Sequence, residues 1–362
     1  MTPLSIIVLI FIFGLLIFVH ELGHFMAAKR AGVKVEEFGF GFPPRLFGVK
    51  RGETIYSLNL LPLGGFVKIF GEEGEGEGDP RSFISKKLGT RAVIVAAGVT
   101  MNFVLAVFLL SVGHTVGLPI IVDETVQNNF RDVKIQIAQV VPASPAAEAG
   151  LKLGDAIVRI KAGEKSVEGL NIEDFQNFIK TNAGQEVIFT IRRGGETVEK
   201  ALVPRVSPPP GEGAIGIAMV KTAIVSHPWY VAIWKGIESA FSLTIALVSG
   251  FYWILKGLIL KGTLIAEVAG PVGIAVLISE TTKLGFNYVL QFAAVLSINL
   301  AIINFLPFPA LDGGRLIFFG IEKVKGSPVN PKVEKYIHAA GFALLILLML
   351  VVTFKDITKY IF

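Results

Sequence analysis

Long apolar runs alternate with charged stretches along this chain. Four of them, Leu4–Met26, Ala92–Leu118, Tyr288–Leu306 and Ala339–Phe354, predict helices that cross a bilayer, whose hydrocarbon core takes about 20 apolar residues to span. A fifth, Val231–Leu260, is interrupted by Lys235, Glu238 and Lys256; it reads either as a span or as a helix lying in or dipping into the interface, with the interfacial reading preferred. The pattern changes from about Asn128 to Val220. There, Val133–Val141 and Glu186–Arg192 read as strands, and Leu170–Thr181 has the 3.6 period of a helix. Gly194-Gly195 predicts a hairpin turn, and Ser207-Pro208-Pro209-Pro210 a stiff connector. Nearer the N-terminus, Ile55–Leu61 and Gly65–Phe70 flank Pro62-Leu63-Gly64 and predict a hairpin. The expected fold is a polytopic α-helical membrane protein with four transmembrane helices, a membrane-associated helix, a cytoplasmic-side β-hairpin and one inserted α+β domain. Its parts are residues 1–125, 126–221 and 222–362.

Composition supports the membrane assignment. The chain is 52% hydrophobic and only 17% charged, with mean hydropathy +0.64, too apolar for an ordinary soluble protein. Its net charge of +5 reads as cytoplasmic anchoring, with no stripe of the kind that binds nucleic acid. The absence of cysteine excludes disulfides and Cys-based zinc or nucleophile chemistry. No basic residue precedes the first apolar run, which predicts a retained span and not a cleaved signal. Basic residues crowd the segment between the first two spans (Lys29 to Arg91) and the segment after Asp312. By the positive-inside rule both are cytoplasmic and the N-terminus is outside. The acidic, glycine-rich stretch Gly71–Gly78 reads as a flexible solvated linker.

The candidate chemistry lies at the end of the first apolar run. His20-Glu21-Leu22-Gly23-His24 is an H-E-x-x-H motif, specific in a chain with five histidines. On a helix, i and i+4 share a face, so two imidazoles can reach one metal while Glu21 approaches a water there as general base. A catalytic zinc usually has three protein ligands. Asp312 is the best candidate for the third: it ends a second apolar run, where a carboxylate costs about 2.5–3.5 kcal/mol to insert and a metal would offset that cost. Taken alone, Asp312 also reads as a helix cap before Gly313; the paired motif favours ligation. From Leu4 to His20 is about 24 Å of helix against a core about 30 Å thick, which puts His20 on the cytoplasmic side of the midplane. The span ending at Asp312 must then also run inward. His114, His227 and His338 read as ordinary interfacial residues.

Cutting a peptide bond inside a bilayer requires unwinding a helix and giving its freed backbone groups new partners. Asn304 offers an amide donor and acceptor, or else only bonds a neighbouring helix. Pro307 and Pro309 break the helix and free carbonyls beside the site. The hairpin around Gly64 and Gly65 offers an edge to which an extended substrate can add as a strand, unless it serves only packing.

These residues resemble the site-2 protease family of intramembrane zinc metalloproteases, closest to the bacterial regulator-of-sigma-E type. The resemblance covers nearly the whole chain. It rests on His20–His24, Gly39–Pro43, Leu61–Lys68 and Asn304–Gly314, while Val141–Leu151 followed by Gly154-Asp155 looks like a PDZ domain of that family. It implies one catalytic Zn2+ on His20, His24 and Asp312, with Glu21 as base and substrate handling by Asn304, Pro309 and Asn299. It also implies a place in the bacterial inner membrane, with the PDZ domain outside and the zinc site toward the cytoplasm. The implied partners are the lipid bilayer and membrane-spanning substrates already trimmed by another protease, such as anti-sigma factors or signal-peptide remnants. Many relatives carry two PDZ domains, whereas this chain has room for one. Ala214-Ile215-Gly216-Ile217 resembles the PDZ carboxylate-cradling loop, which makes Ile215 and Gly216 candidate peptide contacts. A non-catalytic PDZ scaffold and a metal or proton transporter are the alternatives, though the inverted repeats of transporters are not visible.

Overall fold

The structure, a computed structural model, describes residues 1–122, 130–261 and 269–360. The expected domain boundary at residue 125 lies outside these. Along the chain the elements are α1 (Pro3–Arg30), β1 (Val35–Arg51), β2 (Thr54–Ile69), α2 (Leu88–Val116), β3 (Leu118–Ile121), β4 (Arg131–Val140), α3 (Pro145–Glu148), β5 (Ala156–Ala162), β6 (Lys165–Glu168), α4 (Ile172–Thr181), β7 (Val187–Arg193), β8 (Glu196–Leu202), β9 (Ile217–Val225), α5 (Trp229–Lys261), α6 (Pro271–Leu284), α7 (Phe286–Phe305), α8 (Asp312–Lys325) and α9 (Pro331–Tyr360). Two compact units divide them: Met1–Val112 with Ile233–Glu280 and Leu290–Phe362, and Gly113–Ala232 with Thr281–Val289.

The first unit is helical and apolar. Among the described residues five helices, α1, α2, α5, α7 and α9, are long and apolar enough to cross a membrane, one more than the sequence pattern predicts. The difference is α5. Its three charged interruptions do not break it, and it runs as one continuous helix of 33 residues. Thr2 caps α1 by accepting from the Ser5 N–H, with Pro3 at the first helical position, where its missing N–H costs nothing. Small residues let helices approach closely: a Cβ on Gly23 would stand 2.4 Å from the Ala97 carbonyl oxygen of α2. The short helix α6 is anchored to two spans. Asp356 of α9 accepts from the Gly273 N–H at 2.6 Å, satisfying an otherwise orphan donor of the first helical turn, and Ser279 bonds Ser5 of α1.

The expected hairpin takes a different form. Ile55–Leu61 and Gly65–Phe70 do not pair with each other. Both halves of β2 pair with β1, so that Phe38 faces Tyr56 on one side and Val67 on the other, and Gly39 faces Ser57 and Phe66. Glycine at 39 makes this possible, since a Cβ there would lie 2.5 Å from the Phe66 ring. The Gly71–Gly78 stretch also differs from the expected free linker. Gly71, Gly74, Gly76 and Gly78 all have positive φ, which glycine adopts without steric cost. The resulting turns are tied by the Ser82 hydroxyl to the Glu75 carbonyl, by Arg315 to Glu72 and by Lys335 to Glu73.

The second unit is a seven-stranded sheet in the order β3-β9-β4-β5-β7-β8, with β6 paired to β5. The predicted strands, helix and turn fall at β4, β7, α4 and Gly194. Its core gathers alternate residues of the strands, among them Ile135, Ile137, Phe189 and Ile191, around Phe175 of α4. Phe175 and Phe189 are fully buried, each contributing about 1.5–3 kcal/mol. Thr281–Val289 belongs to this unit, where Tyr288 hydroxyl bonds Gln136.

Candidate metal centre

His20 and His24 stand one turn apart on α1, with their Nε2 atoms 3.2 Å from each other. Asp312, the first residue of α8, brings Oδ2 to 3.2 Å from His20 Nε2 and 3.4 Å from His24 Nε2. Zinc holds such ligands at about 2.0–2.1 Å in tetrahedral geometry, so that neighbouring donor atoms lie about 3.3 Å apart. The three observed separations form that triangle. Asp312 Oδ2 is buried and accepts no well-directed hydrogen bond, an arrangement that is costly without a cation. Among the described residues these three side chains form the group able to hold a metal. Glu21 borders the same cavity, of about 630 Å³.

Neighbouring elements shape the site. A Cβ on Gly98 of α2 would fall 2.3 Å from His24 Nε2 and 2.8 Å from His20 Cε1, so only glycine lets α2 pass this close. His24 Nδ1 lies 2.9 Å from the Ile94 carbonyl and His20 Nδ1 lies 3.2 Å from the Asn102 amide. Both rings are thus held on the edge away from Asp312. On the other side Gly65 of β2 backs onto Glu21, a Cβ there reaching 3.4 Å from Glu21 Cγ and 3.1 Å from the Gly39 carbonyl.

Asp312 is delivered by a folded turn. After α7 ends at Phe305, the Phe308 N–H bonds the Leu306 carbonyl and the Leu311 N–H bonds the Phe308 carbonyl. Ala310 takes a left-handed φ of 78°, and its N–H donates to His338 Nδ1 at 2.9 Å. His338, expected as an interfacial residue, therefore supports the turn that carries the carboxylate. The two glycines after Asp312 pack without clearance: Cβ atoms on Gly313 and Gly314 would lie 2.2 Å and 2.3 Å from the Leu306 and Phe308 carbonyl oxygens.

The structure brings His20, Glu21, His24 and Asp312 together. Asn299 and Asn304 are half-buried on α7 and, like Pro309, do not line the cavity; Pro309 packs on Gly341 of α9. Gly64 has φ 151° and sits against the Phe42 ring, whereas Gly65 touches the site. In the sheet unit, the Ile215 side chain is buried in the core and its carbonyl accepts from the Ala146 N–H. Gly216 has φ 75° against Ser144, and its carbonyl accepts from the Val141 N–H. Sequence reading missed Gly98, Asn102 and His338. The first two carry a signal, a small residue and an amide one turn apart in an apolar span; His338 carries none without the tertiary contact.

Known proteins share this chain's pattern over nearly its full length. A family model described as Peptidase family M50 matches residues 8–348. A Clostridium perfringens protein is 38% identical over 346 residues, which cover 95% of this chain and 96% of that one. Zinc metalloprotease RasP of Geobacillus kaustophilus is 34% identical, with 98% of each chain covered. Regulator of sigma-W protease RasP of Bacillus subtilis is 31% identical, again with 98% of each covered.

Proposed function

The chain belongs to peptidase family M50 and is a zinc metalloprotease with several membrane-spanning candidates, and from that premise we propose that it cuts peptide bonds within the bilayer. In this reading zinc is held by His20, His24 and Asp312, and Glu21 is the base. The observation that carries it is the triangle of donor atoms at 3.2, 3.2 and 3.4 Å. When bound there, zinc supplies Lewis-acid polarisation of the scissile carbonyl and makes water more acidic. Glu21 takes the proton of the attacking water and passes it to the departing amine nitrogen. His20 and His24 present Nε2 to the metal, with His20 Nδ1 turned to the Asn102 amide and His24 Nδ1 to the Ile94 carbonyl, outside the ligand triangle.

A transmembrane substrate must present an unwound backbone. The Gly65–Ile69 half of β2 pairs with β1 on one side only. Its other edge has no strand partner among the described residues, and Gly65 abuts Glu21. A substrate strand added along that edge carries its backbone past the base. Asn304, Asn299 and Pro309, near the α7 end, fit a role in steering the substrate toward the site rather than in the chemistry. We assign the sheet unit as a PDZ domain that takes extended peptide. In its favour, the first part of β9, Ile217–Val220, pairs with β4 but with no second strand among the described residues, and it follows directly on the Ala214–Ile217 loop.

The substrates proposed are membrane proteins trimmed beforehand by another protease, such as anti-sigma factors or signal-peptide remnants, in a bacterial inner membrane. The name of the Bacillus subtilis relative, a regulator of sigma-W, supports the first class. The clusters of basic residues favour a cytoplasmic-side metal site and an outer sheet unit. The test is membrane-fraction proteomics on cells carrying wild type or Glu21→Gln. A trimmed membrane stub that accumulates only with Glu21→Gln is expected; equal turnover of every stub in both strains would reject the reading.

A further inference from the structure

We propose that Asn102 is a positioning residue for the metal: its side-chain oxygen accepts the Nδ1 proton of His20 and so presents His20 Nε2 as a ligand. The inference rests on the zinc reading above. A histidine that ligates through Nε2 has its lone pair there and its proton on Nδ1, and that proton needs a buried acceptor. The two histidines meet this need differently. His24 Nδ1 faces the Ile94 main-chain carbonyl at 2.9 Å, an acceptor no substitution removes. His20 Nδ1 faces only a side chain, Asn102, at 3.2 Å.

Asn102 is fully buried in an apolar span, where an amide needs a reason to be. Its other end, Oδ1, is buried with no hydrogen-bond partner, so His20 alone decides which way the amide faces. With Nδ2 toward the ring, Asn102 donates to a bare Nδ1. A half-turn of the near-isosteric amide puts Oδ1 on an Nδ1 proton, the form a ligand requires. The half-turn leaves the NH2 end where Oδ1 stood, so it exchanges one unpartnered end for the other, and only the state of His20 tips the choice. The helix is held where this can occur. Ser297 of α7 donates to the Asn102 main-chain carbonyl at 2.7 Å, and Gly98, four residues earlier on the same face, leaves room for both rings. Partners of this kind fix the tautomer and orientation of a ligating histidine, and their loss typically lowers metal affinity about 10–100-fold.

The test uses the full-length purified chain and measures zinc affinity by chelator competition, with the melting temperature recorded with and without zinc. Asn102→Leu is expected to weaken zinc about 10–100-fold and to shrink the zinc-dependent rise in melting temperature, while the zinc-free melting temperature stays at the wild-type value. Asn102→Asp keeps an acceptor oxygen and is expected to stay within about threefold of wild type. Wild-type affinity in Asn102→Leu overturns the inference, and so does an Asp variant as weak as the Leu variant. A zinc-free melting temperature that falls along with affinity in both variants marks Asn102 as a packing residue and also overturns it. If wild type itself binds no stoichiometric zinc, the underlying metal reading fails instead, which this experiment shows separately.

Discussion

A methyl group on residue 98 would occupy the space in which the two histidine nitrogens converge, 2.3 Å from one ring and 2.8 Å from the other. Gly98→Ala is therefore expected to lose zinc, with affinity reduced by at least about tenfold, comparable to losing a supporting hydrogen bond. Metal content of the purified variant checks this; stoichiometric zinc in Gly98→Ala would contradict the site as drawn. Gly65 is the matching residue on the other side. Gly65→Val places branched carbons against Glu21 and the Gly39 carbonyl, so it should depress turnover while leaving zinc content unchanged, because it touches the base and not the ligands. The motif residues were legible in sequence because H-E-x-x-H is a local pattern whose geometry the helix dictates. Gly98 was not, and Gly65 was legible only as part of a substrate edge and not as the residue backing Glu21, since what a missing side chain makes room for lies on another element.

At the scale of elements, the turn from Leu306 to Leu311 decides where the third ligand stands. It carries a non-glycine residue, Ala310, in the left-handed region, held by one hydrogen bond to His338 on α9. Removing that acceptor with His338→Leu takes away the side-chain partner of a part-buried N–H, at about 0.5–1.5 kcal/mol. The expected result is a lower melting temperature together with weaker zinc binding, because the displaced turn ends in Asp312; a variant that melts and binds zinc like wild type would argue that the turn holds itself. The apolar spans and the strands β4 and β7 were readable from periodicity. The pairing of β2 was not. A hairpin is the cheapest reading of two short runs around Pro-Leu-Gly, but β1 offers both of them a longer partner, and Gly39 lets the three lie side by side. The α5 reading was open on a different point: a helix was expected there, and on a helix of 33 residues three charged residues interrupt hydropathy without interrupting backbone hydrogen bonding.

Across the whole molecule, ion pairs tie segments distant in sequence. Arg91 at the start of α2 pairs with Glu322 of α8, 231 residues away, and its ring-side face lies over Phe319. Both partners are largely buried, so Arg91→Leu strands a buried carboxylate and should destabilise by about 3–5 kcal/mol, while the double variant with Glu322→Leu should recover most of that loss. Thermal unfolding of the single and double variants decides it: no recovery in the double variant would mean that Arg91 acts through packing on Phe319 and not through charge. The Glu72 and Glu73 pairs with Arg315 and Lys335 likewise turn a glycine-rich stretch into a folded wall of the cavity. Composition showed only that the stretch was acidic and permissive of turns; the cations that bind it come from α8 and α9.

The sequence by itself determined what is local or additive: the membrane class from summed hydropathy, the spans and strands from period, the two histidines and the glutamate from helical spacing, and the cysteine-free metal chemistry from composition. Asp312 was reachable as a candidate because a carboxylate at the end of an apolar run is costly wherever it sits. Only the tertiary structure decided that its oxygen completes a triangle with the two ring nitrogens, that Gly98 and Gly65 keep that triangle and the base clear, and that Asn102 and His338 hold a ligand and the turn behind another. These are contacts across 28 to 292 positions of chain. Periodicity reports which face of an element is apolar, whereas a metal site depends on where several faces meet to within a few tenths of an ångström, and that is a property of packing.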